Sequence, residues 1–204
     1  MKYLRYILIA FVVVSIVGCS ANSKTSSNVK KKNWSVSTDY SSGGSKAKSN
    51  GKKSNTKDLS NDKNHTTNCK KLGVSSANGD NKKLYSECAS WIGVKYKYGG
   101  TSKSGVDCSG LTYMIYKNVY GKTLTRQSAG MLSDNCTKIK KSQLREGDLV
   151  FFRTDGKRSS TPNHVGIYLK QNKFIHSSTS KGVIVSDLTQ DYYITNWIAA
   201  GRVK

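Results

Sequence analysis

The feature that most constrains this chain is where its apolar residues are not. From Ser20 to about Lys83 the sequence is rich in Ser, Asn, Lys, Thr and Gly, with no sustained period of 2 or 3.6. Such a stretch buries too little surface to offset the entropy of ordering it. The fold must therefore come from the C-terminal residues. After about residue 84 the apolar residues gather, and the remaining length suffices for one ordinary domain. Three segments are expected: a leader over 1–18, a disordered basic tether over 19–83, and a folded domain over 84–204. The tether would span roughly 40 Å if flexible throughout. His65 and Trp34 fall within it, and His65 reads as a solvent-exposed bystander.

The leader has Lys2 and Arg5, then an almost unbroken apolar run from Tyr6 to Val17, then Gly18-Cys19. This is the layout of a signal peptide, and the run is short for a membrane span. Its ending, Ile16-Val17-Gly18-Cys19, resembles the bacterial lipobox, in which the Cys thiol takes a diacylglycerol. That resemblance implies a mature chain beginning at Cys19 and held to a membrane by its acyl chains. By resemblance to Gram-negative lipoprotein sorting, Ser20 after the Cys implies the outer membrane, facing the periplasm, if the cell is Gram-negative. The formal charge of +22 suits nucleic acid, an anionic membrane surface or an anionic wall polymer. Nucleic acid is set aside: the chain carries no zinc-finger, helix-turn-helix or RNA-binding signature, and the leader exports it.

In the third segment, Leu84–Val94 has apolar spacings that suit a helix, and Lys95–Gly105 is a glycine-rich loop. Asp107-Cys108-Ser109-Gly110 comes next, with Leu111, Met114, Ile115 and Val119 at helical intervals behind it. Cys108 thus falls at a helix start, after an Asp that can cap it. A helix N-terminus favours the thiolate and lowers its pKa. The competing reading of a lone Cys, a small buried apolar residue, fits this setting poorly. Strands are expected over Gly147–Phe152, His164–Leu169, Lys173–Ser177, Val183–Leu188 and Trp197–Val203, with Asn172-Lys173 as a hairpin turn. If the strands that begin at His164 and Lys173 pair antiparallel, His164 and His176 lie on neighbours. Helices before an antiparallel sheet make the domain α+β.

One Cys and two His support two chemistries. In the first, Cys108 is a nucleophile, His164 takes its proton, and His176 holds the His164 tautomer. In the second they bind zinc. No fourth ligand or clustered pair suggests a structural site, while a catalytic zinc needs only three protein ligands.

At these residues the chain resembles the NlpC (NlpC/p-sixty) family of cell-wall cysteine peptidases, in the style of Spr-like murein endopeptidases, themselves lipoproteins. The likeness runs from about residue 85 to the end. It rests on the stretch 93–100, on 107–110, on Arg126-Gln127-Ser128, on 144–150, on Asn163-His164-Val165-Gly166-Ile167-Tyr168, on 174–178 and on Gly182-Val183. It implies a circularly permuted papain-like fold with Cys108 as nucleophile, His164 as general base and His176 as third residue. Tyr96 would complete an oxyanion hole with the Cys108 N–H. Asp107, Ser109 and Arg126 would bind substrate. The implied substrate is the stem peptide of peptidoglycan, cut at the γ-D-glutamyl-diamino acid bond or at the D-alanyl-diaminopimelate cross-link, with no metal and no cofactor. Thr125 stands where the family usually has Pro before the Arg, which bears on the local turn. Two other readings stay open: a wall-binding lipoprotein without turnover, and an amidase or acyltransferase on the same fold. The chain is expected to act as a monomer.

Cys69, Cys88 and Cys136 remain. Outside the cytosol a disulfide is permitted. Three is odd, so at most one bridge forms within the chain, and any pair or none satisfies that.

Overall fold

The computed structural model describes residues 56–204. The leader, Cys19 and the tether up to residue 55 lie outside them. Three helices lead: α1 (Thr56–Lys71), α2 (Lys82–Trp91) and α3 (Cys108–Tyr120). A small antiparallel hairpin, β1 (Thr101–Ser102) and β2 (Gly105–Val106), sits between α2 and α3. A short turn, α4 (Ser128–Gly130), runs on through a wider helical turn over Met131–Asn135 into β3 (Cys136–Ile139). Then come β4 (Leu149–Phe152), β5 (His164–Tyr168), β6 (Lys173–Ser178), β7 (Gly182–Asp187), a short α5 (Asp191–Thr195) and β8 (Trp197–Val203). The six long strands form one antiparallel sheet in the order β3-β8-β4-β5-β6-β7. Helices on an antiparallel sheet are the α+β class read from the sequence.

Alternation along the strands sorts the core into two layers. Leu149, Phe151, Val165, Ile167 and Ile175 join Leu84, Tyr85, Cys88, Trp91, Leu111 and Ile115 of the helices in the main core. Val150, Phe152 and Phe174 point the other way and pack with Leu188 and Tyr193. Strand β4 reads Leu-Val-Phe-Phe without alternation because both of its faces are covered.

The end of the expected tether needs correction. Residues 56–71 are helical, and the adjoining segment packs on the core. Cys69 and Leu72 are each 1% exposed, Val74 is 7% exposed, and His65, expected in solvent, is 5% exposed. The cause is a polar clamp that composition does not advertise. His65 Nε2 lies 2.8 Å from Asp80 Oδ2, the Ala77 N–H donates to the same oxygen at 2.8 Å, and Lys170 Nζ reaches both carboxylate oxygens at 2.7 Å. Burial works against the Asp80 charge, yet these donors together hold its carboxyl below the usual carboxylate value. Gln171 adds two bonds to Ser75, at 3.1 and 2.9 Å. The α1–α2 region is thereby pinned to the β5–β6 turn. The folded domain starts well before residue 84.

Two smaller differences have plain causes. Helix α2 starts two residues early because the Asn81 side chain caps it, accepting from the Leu84 N–H at 3.1 Å. The β5–β6 turn sits on Gln171-Asn172 rather than Asn172-Lys173. Both residues hold positive φ (54° and 60°), and the Lys173 N–H closes the turn on the Lys170 carbonyl at 2.8 Å.

Candidate active site

Asp107 caps α3 as its position suggests. Its Oδ1 accepts from the Gly110 N–H at 2.6 Å and from the Ser109 hydroxyl at 3.0 Å. Its Oδ2 accepts from the Gly99 N–H at 2.7 Å, which ties the glycine loop to the helix start. A Cβ on Gly110 would stand 2.1 Å from the Gly100 carbonyl oxygen, so only glycine lets loop and helix come this close. Arg126 closes the cluster: Nη1 lies 3.3 Å from Ser109 Oγ, Nη2 lies 3.5 Å from Asp107 Oδ1, and the Arg126 carbonyl accepts from Ser109 Oγ at 2.8 Å. The missing proline has a structural counterpart here. The Thr125 N–H donates to Asn135 Oδ1 at 2.8 Å, a bond that proline lacks.

Cys108 is the first residue of α3 and is half-buried. Together with Tyr96, Tyr98, Asp107, Ser109 and Asn163 it lines a cleft of about 420 Å³. Its Sγ lies 4.0 Å from the Asn163 carbonyl oxygen. Burial pushes the thiol up, and the Asp107 charge adds to this. Hydrogen bonds from the backbone of Val165, Ser109 and Cys108 itself pull the other way without reversing it. The expected lowering by the helix start is therefore corrected: desolvation outweighs it, and the resting group is a thiol.

The two histidines meet as the pairing suggested. His164 Nε2 lies 2.8 Å from His176 Nδ1, with the rings edge to face. Pairing of β5 with β6 is confined to Ile167↔Ile175 and Tyr168↔Phe174. At the histidine end the two strands are unpaired, and the start of α3 approaches there. Gly166 permits the close passage of β6, since a Cβ on it would meet Phe174 Cδ2 at 2.7 Å and the Ile175 carbonyl oxygen at 2.8 Å. His176 lies over Phe174 at a centroid distance of 5.0 Å. Among the described residues the histidine pair makes no hydrogen bond to Cys108; it opens on an adjoining small cleft with Thr154, Ser178 and Tyr193. Since Nε2 of His164 is engaged, Nδ1 is the nitrogen left for the thiol.

Burial holds His164 down at about 4, and burial together with the neighbouring His164 holds His176 well below its usual value. Both rings are neutral at pH 7. An unfolded chain takes up protons on both below about pH 6.5, whereas the folded one does not until about pH 4 for His164. Stability is thus lost as pH falls through that window. The urea midpoint is expected to drop between about pH 6.5 and about pH 4.5, with a slope of about 1.4 kcal/mol per pH unit for each neutral histidine. His176→Gln should remove about half of that slope, and a midpoint independent of pH there would contradict the buried neutral pair.

As for metal, one group of ligand-type side chains is gathered among the described residues: His65, Cys69 and Asp80. It fits an ion poorly, because the Asp80 oxygens already accept from Ala77, His65 and Lys170. The donor atoms of Cys108, His164 and His176 are not drawn together in this way. Cys69, Cys88, Cys108 and Cys136 are all free thiols. Cys69, assigned to the tether by sequence, sits buried in α1 beside His65.

The model of the NlpC/P60 family matches residues 93–202, more than half of the chain. The chain belongs to this family. Among NlpC/P60 relatives, it is 39% identical over 129 residues to a probable endopeptidase NlpC homologue of Haemophilus influenzae, covering 63% of this chain and 66% of that protein. It is 38% identical over 121 residues to the murein DD-endopeptidase MepS/murein LD-carboxypeptidase of Escherichia coli, covering 59% of this chain and 62% of the relative. The matched stretch thus spans a little under two thirds of each relative. A crystal structure of an NlpC/P60 protein from Bacillus cereus superposes with a TM-score of 0.55 at 32% identity, covering 63% of this chain and 41% of that one.

The sequence reading missed Ser186 and Tyr193, which complete the histidine surroundings. Neither lies in a motif, and no local pattern flags them.

Proposed function

We propose that the domain hydrolyses amide bonds in the stem peptides of peptidoglycan, with Cys108 as nucleophile and His164 as base. The observation that carries this is the half-buried thiol at a capped helix start, on a cleft beside a neutral histidine pair, in a member of this family. The thiol proton passes to His164 Nδ1 as Sγ attacks the carbonyl carbon. The Cys108 N–H and the Tyr96 hydroxyl receive the oxyanion. The His164 imidazolium then gives its proton to the leaving amine. Water hydrolyses the thioester with His164 again as base, and the thiol is restored.

Asp107 and Ser109 are tied into the cap, so their part is to fix the cleft wall. Arg126 is held by Asp107 and Ser109 but keeps its side chain 34% exposed on the cleft, and is the cation that would meet a substrate carboxylate. The likeness to a murein DD-endopeptidase of Escherichia coli favours the D-alanyl cross-link over the γ-D-glutamyl bond. Digestion of purified cross-linked and monomeric muropeptides, read by mass spectrometry, tests both points. Loss of cross-linked dimers with gain of monomers is expected. Cleavage of monomers at γ-D-glutamate would move the assignment to the other bond, and intact muropeptides throughout would sink the reading.

The proposed place of action is the cell envelope, with Cys19 acylated and the chain anchored to a membrane, the outer one if the cell is Gram-negative. The order Lys2, Arg5, apolar run, Gly18-Cys19 supports this. An unlabelled Cys19 after growth with labelled palmitate would remove the anchor.

A further inference from the structure

The hydrogen bonds of the histidine pair do not stop at His176. Its Nε2 lies 3.0 Å from Ser186 Oγ and 3.1 Å from the Tyr193 hydroxyl, and that hydroxyl donates to Ser186 Oγ at 3.1 Å. All three side chains are buried: His176 is 3% exposed, Ser186 8% and Tyr193 8%. Three elements meet here. His176 is on β6. Ser186 is on β7, two residues along from Ile184, the register partner of His176. Tyr193 comes from α5, with its ring edge-on to Phe174 at 4.8 Å and to Phe152 at 5.2 Å.

The described residues place no carboxylate in hydrogen-bond contact with either histidine. Ser-His-Asp sites fix the tautomer of their base with a buried carboxylate. Here neutral groups must do so. Each neutral imidazole carries one N–H, so the pair has two arrangements. In one, His176 Nε2–H points outward, its Nδ1 accepts from His164 Nε2–H, and His164 Nδ1 is bare and able to take the thiol proton. In the other, a hydroxyl donates into His176 Nε2, His176 Nδ1–H donates to His164, and His164 Nδ1 already carries a hydrogen. The second arrangement cannot act as a base toward Cys108.

Tyr193 separates the two. Its proton goes to Ser186 Oγ, so its oxygen presents a lone pair to His176 Nε2. A bare Nε2 would accept from Ser186 alone and set lone pair against lone pair with Tyr193 at 3.1 Å, whereas a protonated Nε2 finds acceptors in both hydroxyl oxygens. We propose that Tyr193 and Ser186 are positioning residues that hold His176 as its Nε2–H tautomer and thereby keep His164 Nδ1 free as the base. This rests on the assignment of His164 as base. It adds that the site's competence is set from β7 and α5, by hydroxyls that act on the base through His176.

The test reads tautomers and turnover separately. The chain has 3 histidines, so nitrogen NMR of their rings is assigned with the help of His65→Gln. In the wild type both His164 and His176 are expected in the Nε2–H form. In Tyr193→Phe/Ser186→Ala the His176 signals should move to a mixture of tautomers, while the circular dichroism of the fold is kept. Turnover on muropeptides should fall about 10²-fold in kcat with KM within about twofold, short of the roughly 10⁴-fold cost of a wrong tautomer in a Ser-His-Asp site. Ser186→Thr, which keeps a hydroxyl, should behave like the wild type. A wild-type His176 in the Nδ1–H form, or unchanged tautomers in the double variant, would overturn the proposal. Loss of muropeptide cleavage in every protein, with tautomers behaving as expected, would strike the functional reading and spare the tautomer assignment.

Discussion

Cys108→Ala is expected to leave muropeptides uncut while folding like the wild type. The loss should reach about 10⁴-fold or more in kcat, the scale on which removing the nucleophile of a hydrolytic triad acts. The fold should tolerate the change because Cys108 is half-buried and its helix is capped by Asp107, through bonds that do not involve the sulfur. A second expectation comes from the protonation states. Burial keeps the thiol protonated, and the histidines rest neutral. The thiol must therefore pass its proton to His164 to become the nucleophile, so the two groups work as one unit. Cys108→Ala and His164→Ala should then cost similar amounts, and the double variant little more than either. Rates from single-turnover digestion of a defined cross-linked muropeptide read this directly. A Cys108→Ala chain that still cuts removes the thiol from the mechanism. A double variant far slower than both singles would show that the two groups contribute independently.

The parts of this site that depend on neighbours in sequence were legible. Asp107 before Cys108, and the apolar spacing after it, specify a capped helix start, because capping is decided within three residues. The two histidine strands were legible because a short polar turn between apolar runs fixes their pairing, even though the turn itself slipped by one residue. The helix-start argument for Cys108 failed in a physical sense: it counts the local dipole, while burial is set by residues far along the chain. Ser186 and Tyr193 were hidden for the same reason. A serine in a strand and a tyrosine in a five-residue helix carry no signal until the fold brings them to His176.

The hidden part with the largest consequence is α1. Its sequence, TKDLSNDKNHTTNCKK, is so polar that composition assigns it to the tether, yet Cys69 within it and Leu72 and Val74 just after it end in the main core. Fully burying an apolar side chain contributes about 1.5–3 kcal/mol. A chain that begins at residue 84, the boundary composition suggests, loses these three. It also loses Asp80 from beside Lys170, and His65 from the edge of Tyr85, whose ring it meets at 5.4 Å. A cost of about 5 kcal/mol or more is expected, comparable to the whole stability of many domains. A chain that begins at residue 56 keeps all of these contacts and should unfold at nearly the urea midpoint of the full chain. Asp80→Asn in the full chain should fall between, because it weakens the clamp and leaves the apolar contacts in place. Equal midpoints for the chains beginning at 56 and at 84 would return α1 to the tether. A large loss at 84 would instead make the α1–α2 region part of what holds the β5–β6 hairpin, and with it the histidine pair, in place.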